Sequence, residues 1–157
     1  MRVASMRWTQ VVGAVAVVFA VCAGRAVTAG AQAPTAAPAT TVWAGLYTED
    51  QAKRGEVVSN KLCVSCHGPD LSGGEAGPTL VGLEFLGNWN ALSIGDFFDR
   101  VNATMPADAP GTLTPQQTSD VTAYVLKLNK YPAGQTELPT ELAALKNMKI
   151  EGQPPAK

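Results

Sequence analysis

Apolar positions recur along this chain at helical rather than strand spacing. The first periodic segment opens at Thr48, with Gln51 in capping-box spacing, so that Thr48 can accept a hydrogen bond from a backbone N–H of the first turn. It predicts a helix to about Leu62, with Val58 and Leu62 on one face and Gly55 a turn earlier on nearly the same side. The second follows Ser93, carries Asp96 in its first turn where an acid complements the helix dipole, and repeats Ile94, Phe97, Phe98 and Val101 at i, i+3, i+4, i+7. It must end before Pro106, because the residue preceding a proline is pushed out of helical geometry. The third starts at Thr114 with Pro115 in the first helical position and Gln117 three residues after the cap, and buries Val121, Tyr124, Val125 and Leu128. A fourth, shorter one is predicted from Thr140 to about Met148, with Leu142, Leu145 and Met148 along one side, after the turn Pro132-Ala133-Gly134. Residues 67–90, rich in Gly and Pro and without strand alternation, read as one long loop. The pattern predicts an all-α fold of three to four short helices with long loops.

The N-terminal pattern is different. Residues 11–24 form an unbroken run of apolar and small residues between Arg7 and Arg25. A membrane-spanning helix needs about 20 apolar residues, so this shorter run reads as the core of a secretory signal, with small residues near Ala29-Gly30-Ala31 suited to cleavage. The expected division is a signal over 1–31, a flexible Ala/Pro/Thr-rich spacer over 32–46, a folded domain over 47–130 and a C-terminal extension with a short helix over 131–157. Retention as an uncleaved anchor, or lipid attachment at Cys22, would tether the same domain to a membrane; otherwise no membrane contact is expected.

With 157 residues, 46% hydrophobic and 16% charged, the chain has the size and balance of one soluble domain. Twelve basic residues face 13 acidic ones, and no Lys/Arg block marks a nucleic-acid binder. Loss of Arg2, Arg7 and Arg25 with the signal leaves 12 − 3 = 9 against 13, a net charge of −4.

The scarce residues carry more. Three cysteines (Cys22, Cys63, Cys66) and a single histidine, His67, exclude a two-histidine metal centre and a four-cysteine zinc site. Cys22 would leave with the signal. The segment Cys63-Val64-Ser65-Cys66-His67 has the C-x-x-C-H spacing of c-type haem attachment: two thiols three positions apart can each add to one haem vinyl group, and the adjacent histidine then reaches the iron. A thioredoxin-like pair would want a βαβ context, and a zinc site would need a carboxylate as fourth ligand. A bound haem would also explain how short helices and a long loop, which bury little surface alone, form a stable domain. A methionine thioether is a common second axial ligand in electron-transfer haems. Beyond the signal only Met105 and Met148 remain; Met148 falls on the Leu142–Leu145 stripe and reads as packing, whereas Met105, in the loop Thr104-Met105-Pro106, is the candidate ligand.

From about Tyr47 to Asn129 the chain resembles a monohaem class I cytochrome c: a first helix ending in C-x-x-C-H, then Gly77-Pro78-Thr79-Leu80-Val81-Gly82, a helix, a Met-Pro and a capped terminal helix. The resemblance implies the cytochrome c fold wrapped around one covalently bound haem c and its iron, with His67 and Met105 on the metal. It also implies that Pro78 gives its carbonyl to the ring N–H of His67, that Leu80 packs on the haem face, and that the first and last helices cross closely, with Gly55 beneath Tyr124 or Leu128. More narrowly, Phe85-Leu86, Trp89, Phe97-Phe98, Thr104-Met105-Pro106, Pro110-Gly111 and Pro132-Ala133-Gly134 resemble the cytochromes associated with quinoprotein (PQQ-type) dehydrogenases. In that comparison Trp89 either donates its indole N–H to a haem propionate or packs in the core. Asn102-Ala103-Thr104 fits a glycosylation sequon but reads better as a helix end.

The function implied is that of a periplasmic one-electron carrier rather than an enzyme. It would accept electrons from a quinoprotein dehydrogenase and pass them toward a terminal oxidase or another cytochrome. The rival readings are a haem enzyme or gas sensor with an open iron site, and a docking subunit whose tail from Tyr131 to Lys157 clamps a dehydrogenase.

Overall fold

The computed structural model describes residues 40–154, so the expected signal lies outside the described residues. Short strand β1 (Thr40–Thr41) and a 3₁₀ turn (Val42–Ala44) lead into helix α1 (Glu49–Leu62), followed by the single turn α2 (Val64–His67) and a second 3₁₀ turn (Pro69–Leu71). Helices α3 (Gly82–Trp89), α4 (Ile94–Thr104) and α5 (Pro115–Leu128) come next, then the one-turn α6 (Leu142–Leu145) and strand β2 (Met148–Lys149). Among the described residues no helix is long and apolar enough to cross a membrane.

The three principal helices begin where their caps place them. Ser93 and Asp96, and Thr114 and Gln117, form reciprocal capping boxes at α4 and α5, with Pro115 opening the latter. At α1 only half of the box forms. Thr48 accepts from the Gln51 backbone N–H at 3.1 Å, but the Gln51 side chain is buried, donates to Ser119 Oγ and the Leu138 carbonyl (both 3.1 Å) and accepts from the Leu138 N–H (2.8 Å). The residue that reads as a local cap instead ties α1 to α5 and to the C-terminal segment.

Helices α1 and α5 cross at Gly55. A Cβ there would lie 1.9 Å from the Asp120 carbonyl oxygen and 2.9 Å from Tyr124 Cβ, so Asp120 and Tyr124, rather than Leu128, set the contact. Beside it Arg54 spans the crossing, donating to both carboxylate oxygens of buried Asp120 (3.1 and 2.9 Å) and to Glu137 (3.0 and 2.8 Å).

Four expectations need correction. The loop over 67–90 contains helix α3, whose Phe85 is buried and meets Phe97 edge-on at 5.7 Å, with Trp89 against the same ring at 4.9 Å. Its start has no capping side chain, two glycines interrupt its pattern and Leu83 points to solvent, so the usual signals are missing. The spacer assigned to 32–46 is not all spacer: from Thr40 the chain is in the fold, β1 pairs in parallel with β2, and Val42 is buried. The extension expected from 131 on is not separate from the domain, because Tyr131, Leu138, Leu145 and Ile150 lie in the same core as Tyr47, Phe97 and Val125. The predicted helix 140–148 shrinks to α6; Leu142 is 38% exposed and Met148 sits on β2, so the expected stripe does not form. Asn102 lies within α4 and accepts from Thr118 at 3.0 Å.

Candidate functional site

The site is built where α1 gives way to α2. Cys63 caps α1, its N–H on the Ser59 carbonyl at 2.8 Å, and its own carbonyl accepts from Cys66 (3.1 Å) and His67 (2.9 Å). The Cys63-to-His67 segment is therefore a helical turn, which brings residues three apart to one side. Both cysteines are free and half-buried. Burial pushes the Cys63 thiol above its ordinary pKa, with the Ser59 hydroxyl pulling the other way.

His67 is buried, and its Nδ1 lies 2.7 Å from the Pro78 carbonyl oxygen. Since a carbonyl only accepts, Nδ1 carries the proton in this contact, which leaves Nε2 as the nitrogen that can bind a metal. The loop is folded hard against the ring: a Cβ on Gly77 would stand 2.9 Å from His67 Nδ1 and 3.1 Å from the Cys66 carbonyl oxygen. Only glycine lets the backbone pass there.

The histidine faces a crevice made of two hollows that share part of their lining. Six residues line both: His67, Pro78, Leu80, Phe97, Val101 and Met105. Cys63 and Cys66 line the first hollow only, while Asn88, Trp89 and Arg100 line the second. The shared walls are largely apolar; the thiols, with Ser65 and Asp108, line one hollow, and Asn88, Trp89 and the cation Arg100 line the other. Met105 reaches it from the end of α4, where its backbone turns extended and its N–H is held by the Val101 carbonyl at 2.9 Å. Trp89 packs on Phe97 and also lines the crevice, and its indole N–H donates to no group among the described residues.

All seven candidate residues (Cys63, Cys66, His67, Pro78, Leu80, Trp89, Met105) line this one crevice, and Met148 does not. Arg100 was not read from the sequence. It sits on the polar side of an amphipathic helix, where an arginine has an ordinary solvent role, and only the placement of α4 against α3 brings it to the crevice.

These features fit a haem. It is a flat apolar ring with vinyl groups on one side and two carboxylates on another, so thiols in one hollow, a cation in the other and a histidine nitrogen lining both match its chemistry. The other uses of the cysteines fit less well. Among the described residues no three His, Cys, Asp or Glu side chains gather to hold a metal ion, and the only strands are two residues long, so the βαβ setting of a thioredoxin-like pair is missing.

Comparison with known proteins agrees. Residues 50–125 match the family model described as cytochrome C oxidase, cbb3-type, subunit III. No curated protein and no solved structure matches the chain. The matched segment, with the helical architecture around it, is a monohaem c-type cytochrome domain: an all-α cytochrome c fold that carries a covalently bound haem c with its iron and serves electron transfer between redox proteins.

Proposed function

We propose that the protein is an exported, periplasmic one-electron carrier in which His67 and Met105 take the two axial positions of the haem iron. The observation that carries this reading is that His67 and Met105 line both hollows of the same crevice, whereas Met148 is held on β2 away from it. Bound haem supplies a reversible one-electron change at iron, and with both axial positions filled no substrate reaches the metal. The chain's own residues do the rest. Pro78 holds the His67 proton on Nδ1, so Nε2 is presented in a fixed orientation. Cys63 and Cys66 would hold the vinyl side and Leu80 would pack on the ring, while Trp89 and Arg100, which line the other hollow, would meet the carboxylates. Export to the periplasm rests on the apolar run over 11–24 and on the C-x-x-C-H segment. A quinoprotein dehydrogenase as donor, and a terminal oxidase or another cytochrome as acceptor, rest on the resemblance carried by the segment from Phe85 to Gly134.

An optical spectrum tests the ligand set. The ferric protein is expected to show the weak far-red band of Met–iron bonding. Met105→Ala is expected to lose it and to lower the reduction potential, since thioether ligation raises it, while Met148→Ala keeps both. Survival of the band in Met105→Ala, or ready carbon monoxide binding by the reduced parent protein, overturns the reading and favours a haem with an open iron site. The donor is tested separately, by reduction of the purified protein with a PQQ-dependent dehydrogenase and its substrate.

A further inference from the structure

Ser59 Oγ is the one buried side-chain oxygen or nitrogen among the described residues with no hydrogen-bond partner. The residue is fully buried in α1, where an alanine would be a better helix former and would leave no hydroxyl unsatisfied. It stands one turn before Cys63, at the i, i+4 spacing that sets side chains side by side on a helix, and the Cys63 N–H closes that turn on the Ser59 carbonyl at 2.8 Å. Ser65, the other serine beside these cysteines, is exposed and 3.9 Å from Cys66 Sγ, where water competes. The two sulfurs therefore sit in different surroundings.

When Cys63 is attached, its S–H adds across a vinyl group. A C–S bond forms, the vinyl π bond is consumed, and the thiol hydrogen ends on the other vinyl carbon, with no net change of oxidation state and no co-reactant. The sulfur loses its only donor and keeps its lone pairs, becoming an acceptor in a buried setting. We propose that Ser59 is a positioning residue for the haem, whose hydroxyl donates to the Cys63 thioether sulfur, fixes that edge of the ring and draws charge from it, raising the reduction potential. This rests on the covalent haem alone and is independent of the sixth ligand.

The test is Ser59→Ala, examined as the haem-loaded full chain beside the parent. Resonance Raman spectra in H2O and D2O are expected to show two distinct C–S stretching bands in the parent, one sensitive to D2O. In Ser59→Ala that band is expected to shift and lose its D2O sensitivity, with a lowered midpoint potential, an unchanged far-red band and thermal stability not reduced. Ser59→Thr, which keeps the hydroxyl, is expected to retain the D2O-sensitive band. Identical C–S bands and midpoint in Ser59→Ala and parent overturn the proposal, leaving Ser59 as a packing residue. D2O sensitivity that persists in Ser59→Ala assigns the effect to Ser65 and Cys66, and equally overturns it.

Discussion

His67 shows how much one side chain depends on the backbone that passes it. Its Nδ1 proton is committed to the Pro78 carbonyl, and Gly77 lets that carbonyl come so close. Adding a methyl group at Gly77 places a carbon 2.9 Å from Nδ1 and 3.0 Å from Cε1, inside any normal contact, so either the ring turns or the loop retreats. Gly77→Ala is expected to cost about 1–3 kcal/mol of unfolding free energy, the usual range for forced overpacking, and to perturb the visible spectrum of the haem-loaded protein. Denaturant unfolding followed in the haem absorption band checks both; a variant as stable as its parent with an unchanged spectrum refutes the account. The C-x-x-C-H segment was legible because its chemistry is local in sequence. The Pro78 contact became legible only through a family resemblance, and Arg100 and Ser59 not at all, since each acquires its meaning from a neighbour that folding supplies.

At the scale of elements, the α1–α5 crossing joins the haem-bearing helix to the rest of the molecule. Helix α5 is buried over most of its length, and α1 lies on it with backbone touching backbone at Gly55. Gly55→Ala sets a carbon 1.9 Å from the Asp120 carbonyl oxygen, which is main chain and cannot swing aside. It would also pull Arg54 from Asp120, a buried carboxylate whose other side-chain partner is Gln116. The gain of about 1 kcal/mol that alanine brings to a helix interior is therefore outweighed, and a net loss of about 3 kcal/mol or more is expected. Thermal unfolding of the full chain measures it, and a neutral or stabilising result would mean that the helices can separate at no cost. Helix starts were readable wherever a capping side chain announced them, at Thr48, Ser93 and Thr114. Helix α3 was not, for want of a cap. The pairing of β1 with β2 joins residues more than a hundred positions apart and leaves no mark in either segment.

Across the whole molecule, the two ends of the described chain close the core together. Trp43 donates its indole N–H to the Glu151 carbonyl at 2.9 Å, Gly134 donates to the Tyr47 carbonyl at 2.7 Å, and the Tyr47 hydroxyl donates to the Tyr131 carbonyl at 2.7 Å. This closure sets the pH range of the fold from both sides. On the acid side, Asp96 is held well below the usual carboxylate range by Lys146 on the tail, and further by Ser93 in the capping box. A carboxylate with a depressed folded-state pKa contributes stability that is present above its unfolded value, about 3.9, and is lost as pH falls through the lower folded one. On the alkaline side, burial, with a smaller push from Glu49, raises Tyr47 to about 12, and burial raises Tyr131 and Tyr124 as well. Between the unfolded tyrosine pKa of about 10 and the folded values, the native state keeps protons that the unfolded chain has released, so stability falls as pH rises. Unfolding free energy from urea titrations is expected to be level between these limits, to fall below pH about 4 and again above pH about 10. Tyr47→Phe is expected to be less stable at neutral pH by about 1 kcal/mol for the lost hydrogen bond, yet to lose stability less steeply above pH 10, because one of the retained protons is gone. An alkaline slope identical in Tyr47→Phe and parent would place the sensitivity outside Tyr47.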